Sequence, residues 1–238
     1  MALTLFHAAV ISINVYTIMY DQMYLELPFT TGELYGELIL KGRWSLVTFW
    51  CMGLQTVYFT LSLLNDLIGT NELSPSPQKK PLIRTIKDLT FALAFPMALF
   101  VTITFWALYF YEKNLVYPDE IDILVPHWVN LVLHVFNSVF ICIELKYAKI
   151  TFPPRSSGLL FSFLFNFGYI VTACLLRIRT GAWPYPLLEV LDGPSIVVFF
   201  TISILMGLFL YFLGEKLTGV TLSSNHVDGV NGSVKKRL

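Results

Sequence analysis

Six long stretches of this sequence contain no Asp, Glu, Lys or Arg, and that feature restricts the fold more than any other. They cover approximately residues 2–20, 44–64, 89–111, 125–143, 158–176 and 194–214. At a rise of about 1.5 Å per residue, a helical run of roughly 20 residues crosses a hydrocarbon core about 30 Å thick. A backbone in lipid must satisfy its own hydrogen bonds, which a helix does within one segment. The strict two-residue alternation of barrel strands is absent. The expectation is therefore an all-α polytopic membrane protein, with six transmembrane helices in residues 1–218 and a short tail over 219–238.

Composition agrees. The chain is 55% apolar and 13% charged, against about 45–50% and about 25% in soluble domains, and its mean hydropathy is +0.66. A formal net charge of zero supplies no basic surface for nucleic acid. Cys51, Cys142 and Cys174 lie in apolar runs without C-x-x-C spacing, which argues against a disulfide framework or a structural zinc site. No metal or cofactor is expected. The amino-terminal run lacks a basic leader and continues to Tyr20, so it reads as a retained span rather than a signal peptide.

Basic residues in short loops orient the spans. Lys79, Lys80, Arg84 and Lys87 follow the second run, Lys146, Lys149 and Arg155 follow the fourth, and Lys216, Lys235, Lys236 and Arg237 follow the sixth. The opposite loops carry only Lys41, Arg43, Lys113, Arg177 and Arg179, among many acids. Both termini are thus expected in the cytosol, and the sequon Asn231-Gly232-Ser233 is expected to stay unglycosylated there. Trp44, Trp106, Trp128 and Trp183, with Tyr109, Tyr111, Tyr117 and Tyr185, gather near the other face as an aromatic belt would. The segment around Ser74-Pro75-Ser76-Pro77 reads as a flexible loop.

Ionisable residues at membrane depth are expensive and point to function. His134 lies in the middle of the fourth run. At helical spacing Asn130, His134, Asn137 and Ser138 share its face. In the second run Ser45, Thr48, Gln55, Ser62 and Asp66 recur at three- or four-residue steps. If Trp44 and Trp128 mark one interface, Thr48 lies four residues below it and His134 six, a depth difference of about 3 Å. A hydroxyl beside a neutral imidazole in a dry site is a candidate nucleophile with its base. Asn130, Asn137 and Ser138 are candidates to orient the ring or meet an oxyanion.

Blander readings stand beside this one. Thr, Ser and Asn in membrane helices commonly bond across helices or to their own backbone; Thr48 alone would read that way, as do Gln55 and Ser62. His7 reads as interfacial, and Arg177 and Arg179 as snorkelling to the membrane surface. Two other functions compete: a transporter or proton-coupled channel with His134 as relay, and a non-catalytic lipid-binding membrane protein. The scarcity of intramembrane charge and the lack of an internal repeat count against transport. The partner expected is a lipid substrate entering from the bilayer, with no nucleic acid and no obligate protein partner.

Several blocks resemble the androgen-induced gene family: Arg43-Trp44-Ser45-Leu46-Val47-Thr48-Phe49, Leu93-Ala94-Phe95-Pro96, Val116-Tyr117-Pro118, Trp128-Val129-Asn130 followed by His134, Pro154-Arg155-Ser156-Ser157-Gly158-Leu159, Thr180-Gly181 with Trp183, Tyr185 and Pro186, and Leu213-Gly214-Glu215. They occur in family order over most of the chain from the second run onward. The resemblance implies a six-span hydrolase of the endoplasmic reticulum and plasma membrane that cleaves fatty acid esters of hydroxy fatty acids. It also implies a threonine nucleophile and a histidine, matching Thr48 and His134. One departure is Leu131, where family members often carry a further histidine; His127 is a candidate for any role that residue had. The end Lys235-Lys236-Arg237-Leu238 looks like a dilysine retrieval signal or, equally, a basic tail near anionic lipid.

Overall fold

A computed structural model describes residues 1–27, 42–43, 45–72 and 81–235, with side chains described as far as residue 221. The Trp44 interface marker, Lys41, the Ser74-Pro75-Ser76-Pro77 loop, Lys79, Lys80, and the side chains of the sequon and the basic end lie outside the described residues. Among the described residues there is no strand, and six helices are long and apolar enough to cross a membrane. They are α1 (Ala2–Tyr24), α2 (Val47–Ile68), α3 (Leu82–Glu112), α4 (His127–Tyr147), α5 (Arg155–Thr180) and α6 (Gly193–Lys235). α6 continues as one helix past residue 218, where the tail was expected to begin.

α3 is the hub, packing on α2, α4, α5 and α6, while α1 covers α2. Its segment Phe91–Ala98 is buried throughout. Alanines at 92, 94 and 98 leave room for close helix approach. At Gly214 of α6 a Cβ would come within 2.8 Å of the Phe95 ring, so glycine is what lets α6 lie against α3. Pro96 interrupts the α3 ladder without ending the helix. On either side of it, Gln55 Nε2 donates to the Ala94 carbonyl and Ser138 Oγ to the Ala98 carbonyl, each at 2.8 Å. α5 and α6 leave most of their apolar surface outward, as lipid-facing helices should.

The helices extend beyond the uncharged runs because several charges are buried and paired. At the amino-terminal end of the bundle, His7 of α1 sits between Asp66 of α2 (Nδ1 to Oδ2, 2.9 Å) and Glu144 of α4 (Nε2 to Oε2, 2.8 Å). Tyr58 and Ser62 donate to the other Glu144 oxygen at 2.7 and 3.4 Å. Arg84 pairs with Asp88 at 2.9 Å and donates to the Thr70 and Lys149 carbonyls, with Lys87 beside them. An unpaired buried ion would cost several kcal/mol, and each of these side chains has a hydrogen-bonding or ion-pairing partner. His7, read from the sequence as lying near a membrane interface, is enclosed by the bundle, 1% exposed. A residue five positions along the first helix is carried inside because carboxylates at the ends of two other helices meet it there.

Candidate active site

At the opposite end, α2 opens at Val47 with Leu46 as an apolar N-cap that offers no side-chain acceptor. Thr48 is therefore in the first turn, where backbone N–H groups lack partners within the helix. The facing part of α4 is irregular. Within His127–Tyr147, residues Val132–Phe136 form a π-helical turn around His134. Such a turn accommodates one extra residue and is enriched at functional sites. The carbonyls it loosens are taken up locally: Trp106 Nε1 donates to the His134 carbonyl and Asn137 Nδ2 to that of Leu133, both at 3.2 Å.

Thr48 Oγ1 stands 3.4 Å from His134 Nε2, with the two residues 7% and 6% exposed. The other ring nitrogen, Nδ1, faces two oxygens of Asn130, the carbonyl at 3.1 Å and Oδ1 at 2.5 Å. An N–H between two acceptors belongs on Nδ1, which leaves the Nε2 lone pair toward the Thr48 hydroxyl. The Phe105 ring lies flat on the imidazole, 3.6 Å between centroids and 11° between planes. Backbone bond, side-chain bond and stacking together hold the ring in one orientation.

Tyr185, from the segment between α5 and α6, completes the cluster with Oη 3.5 Å from Thr48 Oγ1. Gly181 ends α5 in the left-handed conformation (φ 75°) and turns the chain toward the site. Glu189, on the short helix Pro186–Val190, then accepts from the Trp183 backbone at 2.6 Å and from Arg177 at 3.1 Å. Burial pushes the Tyr185 phenol above its ordinary value, while the Thr48 hydroxyl and the Thr48 and Val47 backbone N–H groups pull it back. The phenol is thus a neutral donor beside the α2 N-terminus, where the helix dipole favours negative charge.

Of the residues singled out from sequence, Thr48, His134 and Asn130 converge. Asn137 and Ser138 do not reach the pair: Asn137 bonds its own helix, and Ser138 bonds Ala98 and Thr102 of α3. The π turn explains the separation, since one extra residue shifts the helical phase by about 100°. His127 is exposed in the first turn of α4, about 10 Å along the axis from His134. Leu131 points outward. Tyr185 was legible only as an aromatic near the membrane surface; its block was visible, but a loop's approach to a helix end has no periodicity to betray it. Among the described residues no cluster of His, Cys, Asp and Glu could hold a metal ion.

Thr48 and Tyr185 lie where two cavities meet. A chamber of about 650 Å³ opens at this end of the bundle and includes His134, Asn130, Tyr117 and Trp183 in its wall. A narrower cavity of about 90 Å³ runs from Thr48 between α3, α5 and α6.

Fold and site together define a multi-pass all-α membrane protein with a buried hydroxyl–imidazole pair at the junction of two cavities. The chain belongs to the FAR-17a/AIG1-like protein family, whose match spans residues 2–219. It is similar to the androgen-induced gene 1 protein of Homo sapiens, 34% identical over 198 residues, covering 81% of this chain and 80% of that protein. It is similar also to the androgen-dependent TFPI-regulating proteins of Mus musculus (30% identical over 181 residues, 74% and 76% of the two chains) and of Homo sapiens (30% over 187 residues, 78% and 80%). No solved structure matches the chain.

Proposed function

We propose that this protein is a membrane lipid-ester hydrolase with Thr48 as nucleophile and His134 as general base. The observation that carries the reading is the Thr48 Oγ1–His134 Nε2 contact at 3.4 Å, with Nδ1 fixed by Asn130. Nucleophile, base and orienting group in hydrogen-bond sequence are the general form of a covalent hydrolase site.

The Thr48 proton passes to Nε2 as Oγ1 attacks the ester carbonyl carbon. Negative charge on the carbonyl oxygen is met by the Tyr185 hydroxyl and the α2 N-terminus. The C–O bond to the alcohol then breaks, and the imidazolium returns its proton to the leaving oxygen. This gives a free alcohol and acyl-Thr48. Water, deprotonated by Nε2, attacks the acyl carbon; Thr48 recovers a proton from the imidazolium and the fatty acid leaves. His134 ends each cycle in the tautomer in which it began.

Fatty acid esters of hydroxy fatty acids are the substrate class the family resemblance suggests, delivered from the bilayer. With both termini in the cytosol, as the basic loops favour, the reacting carbonyl stops just below the non-cytosolic face of the endoplasmic reticulum or a related membrane. Purified full-length protein, in detergent or liposomes, should release fatty acid and hydroxy acid from such an ester, and Thr48→Ala should not. Equal turnover by the two proteins would overturn the reading.

A further inference from the structure

The narrow cavity below Thr48 does not stop at its own floor. A second cavity of about 170 Å³ continues along α3, α5 and α6, and Phe100, Asn166, Ile170 and Ile204 line both. The run starts in the cavity that Thr48 and Phe200 both line and reaches Tyr211. Eleven residues of α6 separate Phe200 from Tyr211, about 16 Å of helix rise. That is about half the thickness of a hydrocarbon core, the length of one leaflet's acyl chain. Phe163 and Phe167, which line the second cavity, are more than half exposed on the outer surface of the bundle, so the run opens to lipid between α5 and α6. At its far end the apolar lining gives way to Ser162 Oγ and Tyr211 Oη, buried hydroxyls with no partner among the described residues.

His134 lines the wide chamber and neither of the two lower cavities. An ester has two arms, and the proposed chemistry tells them apart, because His134 Nε2 must protonate the leaving oxygen and later activate water. Both events therefore belong to the wide chamber, whose wall also carries Ser45, Asn130 and Glu189. The other arm has the lower run left to it.

Resting on the hydrolase reading, we infer that the ester is bound bent at Thr48, its long acyl chain in the α3–α5–α6 run and its alcohol portion in the wide chamber, with Gly207 acting as a gauge of acyl length. Gly207 lines the second cavity, and a Cβ built there meets nothing within 4 Å. A larger side chain at 207 would fill the lower end of the run without displacing the helix, and glycine is the weaker helix former.

The test uses the full-length protein, esters of one alcohol with acyl chains from short to long, and a second set with a fixed short acyl chain, one that does not reach Gly207, and varied alcohol. Wild type should favour long acyl chains. Gly207→Phe should lower kcat/KM for the longest acyl chain by about tenfold, the loss of roughly two buried methylenes, and leave short acyl chains and the alcohol series unchanged. Gly207→Ala should fall between, guarding against a folding defect in the larger variant. Ala182→Phe, in the wall of the wide chamber, should instead alter the alcohol series. Hydrolysis with the same acyl preference in wild type and Gly207→Phe overturns the assignment alone, as does a Gly207→Phe effect confined to the alcohol series. Failure of the wild type on every ester overturns the hydrolase reading and the assignment with it.

Discussion

Two buried histidines, at opposite ends of the bundle, sit in differently built surroundings. His7 has a carboxylate oxygen at each ring nitrogen, and its neighbours Glu144 and Asp66 are bonded in turn, to Tyr58 and to Asn71. It lines none of the cavities described above. His134 has one nitrogen held by Asn130, while the other faces only a hydroxyl at 3.4 Å and a chamber wide enough for substrate. A saturated polar network stabilises and specifies packing; a ring with an uncommitted lone pair in a cavity can do chemistry. Burial alone separates the two poorly, at 1% and 6% exposed. The count of committed hydrogen-bonding positions separates them well.

Replacing members of each cluster should break the symmetry between them. Thr48→Ala and His134→Ala should each lower ester turnover by at least on the order of 10⁴-fold, and the double variant should be little worse than either, since the pair acts as a unit. Kinetics with purified protein test this, with unchanged thermal unfolding as the control. His7→Ala should act the other way. It takes one partner each from Glu144 and Asp66, at a cost of about 3–5 kcal/mol in stability, seen as a lowered Tm in detergent, while protein that remains folded should keep kcat.

Smaller effects sharpen the contrast. Tyr185→Phe should cost about 10²-fold in kcat if the phenol meets the oxyanion. Asn130→Ala should cost about 10-fold to 10²-fold in kcat, with little change in KM, because the ring loses the Oδ1 acceptor while the residue 130 carbonyl still holds the Nδ1–H tautomer. Tyr58→Phe, the matching loss of a hydroxyl in the His7 cluster, should lower stability by about 1.5–3 kcal/mol and leave kcat alone.

The uneven legibility of the chain follows the same division. The membrane spans could be read because lipid imposes a length and a lack of charge on every segment independently of its neighbours. Their ends could not: Arg84 and Lys87 look like loop residues although Asp88, the carboxylate beside both, is on their own helix, and Glu144 does so because the His7 it meets lies on another. Thr48 and His134 could be matched in depth by counting from aromatic markers. Asn130, one turn before His134, was legible because i to i+4 spacing is local. Asn137 and Ser138 looked equivalent on an ideal α-helix; after the π turn at Val132–Phe136, Asn137 bonds the Leu133 carbonyl of its own helix and Ser138 bonds α3. Tyr185 depends on Gly181, Arg177 and Glu189 folding a loop back over α2, a tertiary event with no signature in hydropathy.

The central claim, that Thr48 becomes acylated with His134 as its base, is tested most directly by mapping where an acylating probe attaches. Full-length protein treated with a fluorophosphonate and digested for mass spectrometry should carry the adduct on Thr48, and His134→Ala should carry none. Undiminished labelling of both Thr48→Ala and His134→Ala would contradict it.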